Sequence, residues 1–477
     1  MDIATLALVG VVIVVAALLS GVVERTRFPQ VALFLLLGLV IGVFGFGLVD
    51  FRIDSPILET IATLGLVLVL FTDAVSVDLR EVRRHRKLVR LVLGPGTLVT
   101  AALIAVAAWA LLGLPPGPAA ILGAALASTD PVMMRGLLRS GDVPAAARQV
   151  LALESGLNDL VLLPIVLVAM ALLGGSPSGH WGRAALNLFV VGPGAGIAVG
   201  FVGVVLLDRM RRWVGVRRDY ESLYALGLAF SAYAVAEAAH GSGFLAAFAA
   251  GLTIAASDAE LCDCFLDFGQ AAAEMFLLFT FVAFGSSLIW TGLAGITWRG
   301  LLFAVLALGL RSAVLAAALP RKDLDARSRR LIVWFGPRGL STLLLVLLPV
   351  FAGLPGADRL FAPAALVVLL SVVVHGGALM LGRKPRGGRA LPLVQEPGPP
   401  APEAAPIERR DRITLAELKE LQARGEPVVL LDVRKDRAWN ESEEKAHGAI
   451  RLRPEGAAQS AAELALPRHA WLVAYCA

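Results

Sequence analysis

The sequence predicts an all-α polytopic membrane protein with about thirteen transmembrane helices, followed by a small soluble α/β fragment. Hydrophobic residues make up 57% of the 477-residue chain, charged residues only 17%, and the mean hydropathy is +0.75. Several apolar stretches reach the roughly 20 residues that a helix needs to cross a bilayer. Such a composition is typical of helices that face lipid and one another, and it excludes one large soluble domain.

The predicted spans follow from the runs of apolar residues. They cover residues 3–23, 30–50, 57–77, 89–113, 117–139, 147–173, 184–207, 219–240, 242–256, 270–290, 297–319, 327–352 and 358–381. The first run has no basic segment before it and no small-residue cleavage site, so we expect a membrane helix and not a signal peptide.

Basic residues predict the orientation of these spans. Arginines and lysines cluster after the first, third, fifth, seventh and eleventh spans, and cytoplasmic loops carry such an excess. We therefore expect a multi-pass protein of the bacterial inner membrane with a cytoplasmic C-terminal domain. Because these arginines lie in short loops, they indicate topology and not nucleic-acid binding. The cysteines, Cys262, Cys264 and Cys476, have neither a disulfide framework nor metal-site spacing.

A change in composition at Gly382 predicts the domain organisation. Residues 1–381 form the transmembrane domain, residues 382–408 are a Pro-rich linker, and residues 409–477 read as soluble. In this last part, Val428 to Val433 and Trp471 to Tyr475 are rich in β-forming residues and predict strands.

Two prolines predict broken helices inside the membrane. Pro131 cannot donate to the carbonyl of Ala127, and Pro337 leaves the carbonyl of Val333 free. Freed backbone groups at membrane depth must be satisfied by protein or by a water-filled cavity, and discontinuous helices line many transporter sites. Each break falls in the fifth helix of a six-helix repeat, which predicts inverted repeats. A simple proline kink with a capping aspartate is the alternative.

Buried carboxylates next to the first break predict a cation and proton site. Asp130 lies at the break and Asp159 lies on the following helix, where charged groups are costly and mark ion paths. Thr129, Ser155 and Asn158 offer further oxygen atoms, the ligands that small hard cations prefer. We expect Na⁺ at Asp159, Asp130, Ser155 and Thr129. Protons bind the same two carboxylates, so one site can serve both ions.

Glu154 requires a different explanation, because an unpaired buried glutamate would not stay charged. Two arginines lie well inside predicted spans, away from their ends, Arg311 and Arg338. We expect a structural ion pair of Glu154 with Arg311, with Arg338 as the alternative partner. Arg338 is otherwise expected to neutralise the carbonyl end at the second break, and His375 is expected to be a packing or interface residue.

Residues 1–381 resemble a known family through four motifs. Thr129-Asp130-Pro131, Glu154-Ser155-x-x-Asn158-Asp159, Arg311 and Gly336-Pro337-Arg338-Gly339, in this order, are similar to the NhaP-like sodium/proton antiporters of the cation:proton antiporter family. The resemblance implies thirteen helices, a six-helix core domain with crossed broken helices, a homodimer and alternating access, without a cofactor. It also implies that Asp159 carries the ions, and that an Asn-Asp pair accompanies electroneutral exchange.

The tail resembles a rhodanese domain. Leu431–Arg434, His447–Ile450 and Tyr475–Ala477 match its landmarks, which would make Cys476 the persulfide-carrying residue. The rest of the active-site loop is missing after Cys476, so we expect no sulfurtransferase activity.

The sequence therefore predicts a secondary active antiporter that exchanges Na⁺ for H⁺ and serves pH homeostasis. Its partners are the two ions, the lipid bilayer and a second copy of the chain. The alternatives are a membrane-anchored rhodanese-like sulfurtransferase, a cation channel, and a K⁺/H⁺ antiporter regulated by the C-terminal domain. A membrane anchor needs neither Asp130 nor Asp159, which disfavours the first alternative.

Overall fold

The structure is a computed structural model of the chain. It describes residues 29–77, 86–138, 143–174, 181–214, 218–257, 263–294, 296–320 and 324–378, together with residues 424–434, 448–452, 470–475 and a few isolated positions. Contacts divide the chain into two units, Met1–Arg386 and Gly387–Ala477. Most of the first predicted span, the Pro-rich linker and Cys476 lie outside the described residues.

The described part of the first unit is helical. Its helices are α1 (Gln30–Ile41), α2 (Pro56–Val75), α3 (Arg86–Leu112), α4 (Pro116–Ala127), α5 (Pro131–Leu138), α6 (Ala145–Leu173), α7 (Gly192–Trp213, preceded by the turns Trp181–Leu186 and Asn187–Val191), α8 (Arg218–Ala238), α9 (Gly243–Ala256), α10 (Asp263–Ser286), α11 (Trp298–Ala318), α12 (Ala326–Trp334), α13 (Leu340–Phe351) and α14 (Phe361–Ser371, with the turns Ala357–Leu360 before it and Val372–Gly376 after it).

Helix lengths and composition agree with a membrane protein. Within the described residues, six helical stretches are long and apolar enough to cross a bilayer, and five apolar helices are shorter. The six include α2, α3, α6, α7 and α11. The chain is thus a helical membrane protein, whereas the number thirteen stays a prediction.

Both predicted breaks are present. Helix α4 ends at Ala127 and α5 begins at Pro131, while α12 ends at Trp334 and α13 begins only at Leu340. The four half-helices are α4, α5, α12 and α13. Nearly every side chain of α4 from Pro118 onward, and of α13 up to Pro349, is buried. A helix that is apolar and buried on all sides lies inside a bundle, so the broken ends lie away from lipid.

Small residues allow the surrounding helices to approach closely. A Cβ atom on Gly196 of α7 would collide with the backbone of Ala246 in α9, and one on Gly38 of α1 would collide with the backbone of α10 near Gly285. Close backbone approach at small residues is typical of helix packing in membranes.

The second unit contains a three-stranded parallel sheet in the order β2-β1-β3. Its strands are β1 (Val428–Asp432), β2 (Ile450–Arg451) and β3 (Trp471–Tyr475), and β1 pairs with β3 from Val428–Trp471 to Asp432–Tyr475. The two predicted strands are therefore found, and β2 is an additional one. A rhodanese fold for this unit stays a prediction.

Candidate functional site

The carbonyl end of α4 meets the Arg338 guanidinium. Nη1 of Arg338 donates to the carbonyl oxygens of Ala127 and Ser128 at 2.8 and 2.9 Å. Pro131 leaves the first of these carbonyls without its helical donor, and a helix C-terminus attracts positive charge. Arg338 lies in the second break, yet it neutralises the first. The expectation that it serves the second break is therefore wrong, because the two breaks lie against each other.

The N-terminal end of α13 meets the Asp130 carboxylate in the same way. Oδ2 of Asp130 accepts from the Leu340 backbone N–H at 2.7 Å, and the Asp130 N–H donates to the Pro337 carbonyl at 2.9 Å. A carboxylate at a helix N-terminus satisfies a free donor and the positive end of the helix dipole. Asp130 thus caps the half-helix of the opposite break. Its predicted role as an ion ligand remains a prediction.

Two glycines make this crossing possible. A Cβ atom on Gly339 would collide with the Asp130 carboxylate, and a Cβ atom on Gly336 would lie 2.5 Å from Nη1 of Arg311. The Gly-Pro-Arg-Gly sequence therefore combines two close approaches with a helix break and a buried cation.

Glu154 pairs with Arg311. Nε and Nη2 of Arg311 donate to the two Glu154 oxygens at 2.7 and 2.5 Å, and both side chains are buried. Nη1 of Arg311 also lies 3.4 Å from the carbonyl of Val333, which Pro337 leaves free. The sequence predicts this pair, and the structure places it at the carbonyl end of α12.

Asp159 and Asn158 face the first break from α6. The Ser128 hydroxyl donates to Oδ1 of Asp159 at 2.7 Å. Nδ2 of Asn158 donates to the hydroxyl and the carbonyl of Thr129 at 2.8 and 3.3 Å. This arrangement leaves the buried Oδ1 of Asn158 without a hydrogen-bond partner among the described residues. A carboxylate, two hydroxyls and an unpaired amide oxygen therefore meet at the break.

The crossing brings together most of the predicted site residues. Thr129, Asn158 and Asp159 lie at the first break, and Asp130 joins this break to the second through its backbone N–H and its carboxylate. The Ser155 hydroxyl instead donates to the Ala152 carbonyl of its own helix at 3.2 Å, and its predicted role in ion binding remains a prediction.

Sequence reasoning missed the role of Ser128. Its backbone at the end of α4 is extended. The hydroxyls of Ser128 and Thr129 therefore both reach α6, where they contact the neighbouring residues Asp159 and Asn158. The extended geometry of a broken helix was the signal that could have identified it.

In the second unit, a polar network joins the ends of β1 and β3. Arg434 donates to both Asp432 oxygens, with Nη2 at 2.7 Å from Oδ2, and the Tyr475 hydroxyl donates to the same oxygen at 2.7 Å. The hydrogen bonds from Arg434, and then that from Tyr475, hold the pKa of the Asp432 carboxyl well below its ordinary value. This network stabilises the sheet end.

Comparison with known families and curated proteins gives a consistent result. The family model described as "Sodium/hydrogen exchanger, transmembrane" matches residues 11–381. A K⁺/H⁺ antiporter NhaP2 from Shewanella sp. (strain MR-4) is 26% identical over 390 residues, which cover 81% of this chain and 67% of the relative. A K⁺/H⁺ antiporter NhaP from Alkalimonas amylolytica is also 26% identical, over 79% of this chain and 65% of the relative. The chain thus spans about two thirds of the length of these relatives.

A solved structure has a similar fold. The sodium proton antiporter MjNhaP1 from Methanocaldococcus jannaschii at pH 8 superposes with a TM-score of 0.64 at 20% sequence identity, covering 78% of this chain and 98% of that one. At this level of identity the similarity concerns the fold alone.

Proposed function

Because this chain belongs to the sodium/hydrogen exchanger family and is an NhaP-like cation/proton antiporter, we propose that it exchanges Na⁺ for H⁺, one for one, with Asp159 as the carrier. Members of this family are transporters, so the chain is a transporter and not an enzyme. Membership of this family argues against the membrane-anchored rhodanese-like sulfurtransferase.

The partners of the buried acids in the membrane unit support Asp159 as the carrier. Glu154 is held by Arg311, and Asp130 is held by the N-terminal end of α13. Asp159 is only 5% exposed, and its hydrogen-bond partner within the described residues is the neutral Ser128 hydroxyl. A buried carboxylate without a fixed counter-charge needs a proton or a cation. Proton and cation therefore compete for Asp159.

The neighbouring oxygens suit a monovalent cation. Oδ1 of Asn158 lacks a partner among the described residues, and the Ser128 hydroxyl oxygen already contacts Asp159. Carboxylate, hydroxyl and amide oxygens are ligands for hard cations. We propose Na⁺ as the cation. A K⁺/H⁺ antiporter regulated by the C-terminal domain is the second candidate, because the curated relatives above are named K⁺/H⁺ antiporters.

The charge count supports electroneutral exchange. Asn158 is neutral, and Asp130 is engaged at α13, which leaves one carboxylate to alternate between the two ions. Replacement of one H⁺ by one monovalent cation leaves the charge of the site unchanged. The exchange then moves no net charge across the membrane.

Alternating access completes the proposal. The crossed half-helices α4, α5, α12 and α13 hold the site, and movement of this core relative to the other helices exposes it to either side. The functional unit is a homodimer in the bacterial inner membrane. The basic loops support a cytoplasmic C-terminal domain.

The experiment that tests this function uses purified protein in liposomes that contain a pH-sensitive dye. Addition of Na⁺, K⁺ or Li⁺ to liposomes with an acidic interior drives proton efflux if the chain is an antiporter. Efflux with Na⁺ supports the leading proposal, efflux with K⁺ alone supports the second candidate, and no efflux with any cation overturns both.

Ser128→Ala is expected to weaken cation binding without unfolding the protein. The substitution removes both a donor to Asp159 and an oxygen from the site, and a hydrogen bond to a charged group is worth roughly 1.5–3 kcal/mol. The apparent Na⁺ affinity in the dye assay should fall by at least about tenfold. Ser128→Thr keeps the hydroxyl and serves as the matched control. Equal Na⁺ affinities for Ser128→Ala and the unchanged chain would show that Ser128 does not contribute to cation binding.

A further inference from the structure

Helix α14 carries a buried serine and a buried histidine against the second helix break. Ser371 ends its regular part, and the next turn, Val372–Gly376, is π-helical. The His375 ring lies in this turn, with its centroid 5.7 Å from the Phe335 ring and 6.2 Å from the Trp334 ring. Single π-helical turns inside α-helices are frequent at functional positions.

Hydrogen bonds determine which ring nitrogen of His375 carries the proton. Nδ1 lies 3.2 Å from the carbonyl oxygen of Ser371 and 3.1 Å from its hydroxyl oxygen. A carbonyl oxygen can only accept, so we assign the proton to Nδ1, which donates to the Ser371 carbonyl and also contacts the hydroxyl. Packing against aromatic rings would bury the histidine, but it would not require these two contacts.

The Ser371 hydroxyl oxygen also accepts from the Arg338 backbone N–H at 2.7 Å. The Ser371 hydroxyl therefore lies between the second break and the His375 ring and contacts both. The backbone of Arg338 is thereby fixed to α14. The backbone of the preceding residue, Pro337, is fixed to the first break by the Asp130 N–H.

From Arg338 the contacts continue to the ion site. Its guanidinium donates to the carbonyls of Ala127 and Ser128, and the Ser128 hydroxyl donates to Asp159. A shift of the Arg338 backbone therefore displaces the residue that contacts the carrier. Three hydrogen-bonded steps separate Ser371 from Asp159.

We propose that Ser371 and His375 are positioning residues for the exchange reaction. They hold the Arg338 backbone so that its side chain sets the Ser128–Asp159 contact, and they tune cation affinity without touching the cation. This inference rests on the proposed function and adds α14 to the parts of the fold that determine affinity.

The test compares four variants in the liposome assay, with the apparent KM for Na⁺ and the maximal rate measured separately. Ser371→Ala removes the acceptor of the Arg338 N–H. His375→Leu removes the ring donor, and His375→Gln retains a side-chain N–H. Ser286→Ala is the matched control, since this buried serine donates to the Ala283 carbonyl of its own helix.

We expect Ser371→Ala and His375→Leu to raise the apparent KM about tenfold, as the loss of one hydrogen bond allows. Maximal rates should stay within about twofold, and His375→Gln and Ser286→Ala should match the unchanged chain. Binding is also measured by the Na⁺-dependent rise of the melting temperature in detergent, where the first two variants need about ten times more Na⁺.

An unaltered KM in both Ser371→Ala and His375→Leu overturns the positioning role, as does a KM in His375→Gln equal to that of His375→Leu. If Ser371→Ala does not fold, the KM values of His375→Leu and His375→Gln test the positioning role. Absence of proton movement in the unchanged chain overturns the proposed function itself, and the melting temperature then shows whether Na⁺ binding is also absent.

Discussion

We expect Asp159→Asn to abolish exchange and to leave the protein folded. The amide has the shape of the carboxylate and its oxygen still accepts from the Ser128 hydroxyl, so the contact at 2.7 Å is preserved. The amide does not titrate as a carboxylate does, so it can neither bind the exchanged proton nor neutralise a cation. Na⁺-driven proton efflux should fall to the level of protein-free liposomes, and the elution volume in detergent should be unchanged.

A second buried carboxylate provides the control. Glu221 is 4% exposed and forms a salt bridge with Arg211 at 2.7 Å, at the junction of α7 and α8. Glu221→Gln is expected to keep Na⁺-driven efflux, because this acid has a fixed partner. Retained proton efflux in Asp159→Asn would contradict the assignment of the carrier.

Glu154→Gln is expected to leave the Arg311 charge buried and unpaired. Breaking a buried ion pair by removing one partner costs roughly 3–5 kcal/mol. Arg311→Ala should cost more than Glu154→Gln, because Arg311 also donates to the free Val333 carbonyl. Thermal unfolding in detergent, monitored for both single variants and the double variant, measures these losses.

The double variant tests the pairing itself. When one partner is already gone, removal of the other breaks no further ion pair, so the combined loss should be smaller than the sum of the single losses. The Glu221–Arg211 pair serves as a comparison, with a smaller coupling expected because Arg211 is partly exposed. Strictly additive losses for Glu154 and Arg311 would show that the two residues do not stabilise each other.

The helix breaks could be predicted from the sequence, because a proline disrupts its helix by a local rule. Pro131 and Pro337 lack the N–H that the preceding turn requires, whatever surrounds them. The ion pair of Glu154 was predictable for a related reason, since a buried charge needs a partner and only two intramembrane arginines were available.

The partners across the crossing could not be predicted. The choice of Arg338 for the α4 carbonyls depends on how two distant segments lie against each other, and local rules do not contain that information. For the same reason the contact of Asp130 with the start of α13 could not be predicted, while its role as an ion ligand stays a prediction. His375 was predicted to be a packing or interface residue, and its contacts with Ser371 could not be predicted.

In the second unit, β1 and β3 could be predicted from their β-forming residues, but the order of the strands in the sheet could not. The pairing of β1 with β3 joins segments about forty residues apart, from Val428–Trp471 onward. Parallel pairs need such long connections, and the length of a connection does not determine the strand order.

The most direct test of the shared carrier measures initial exchange rates against pH at several Na⁺ concentrations. If Na⁺ and H⁺ compete for Asp159, the apparent Na⁺ affinity falls as the pH drops, because protons then occupy the carboxylate. Linkage is reciprocal, so higher Na⁺ must move the rate profile to lower pH. Electroneutral exchange further predicts the same rates with and without a potassium–valinomycin clamp. A rate that follows the imposed potential would contradict one-for-one exchange, and a Na⁺ affinity that is independent of pH would contradict the shared site.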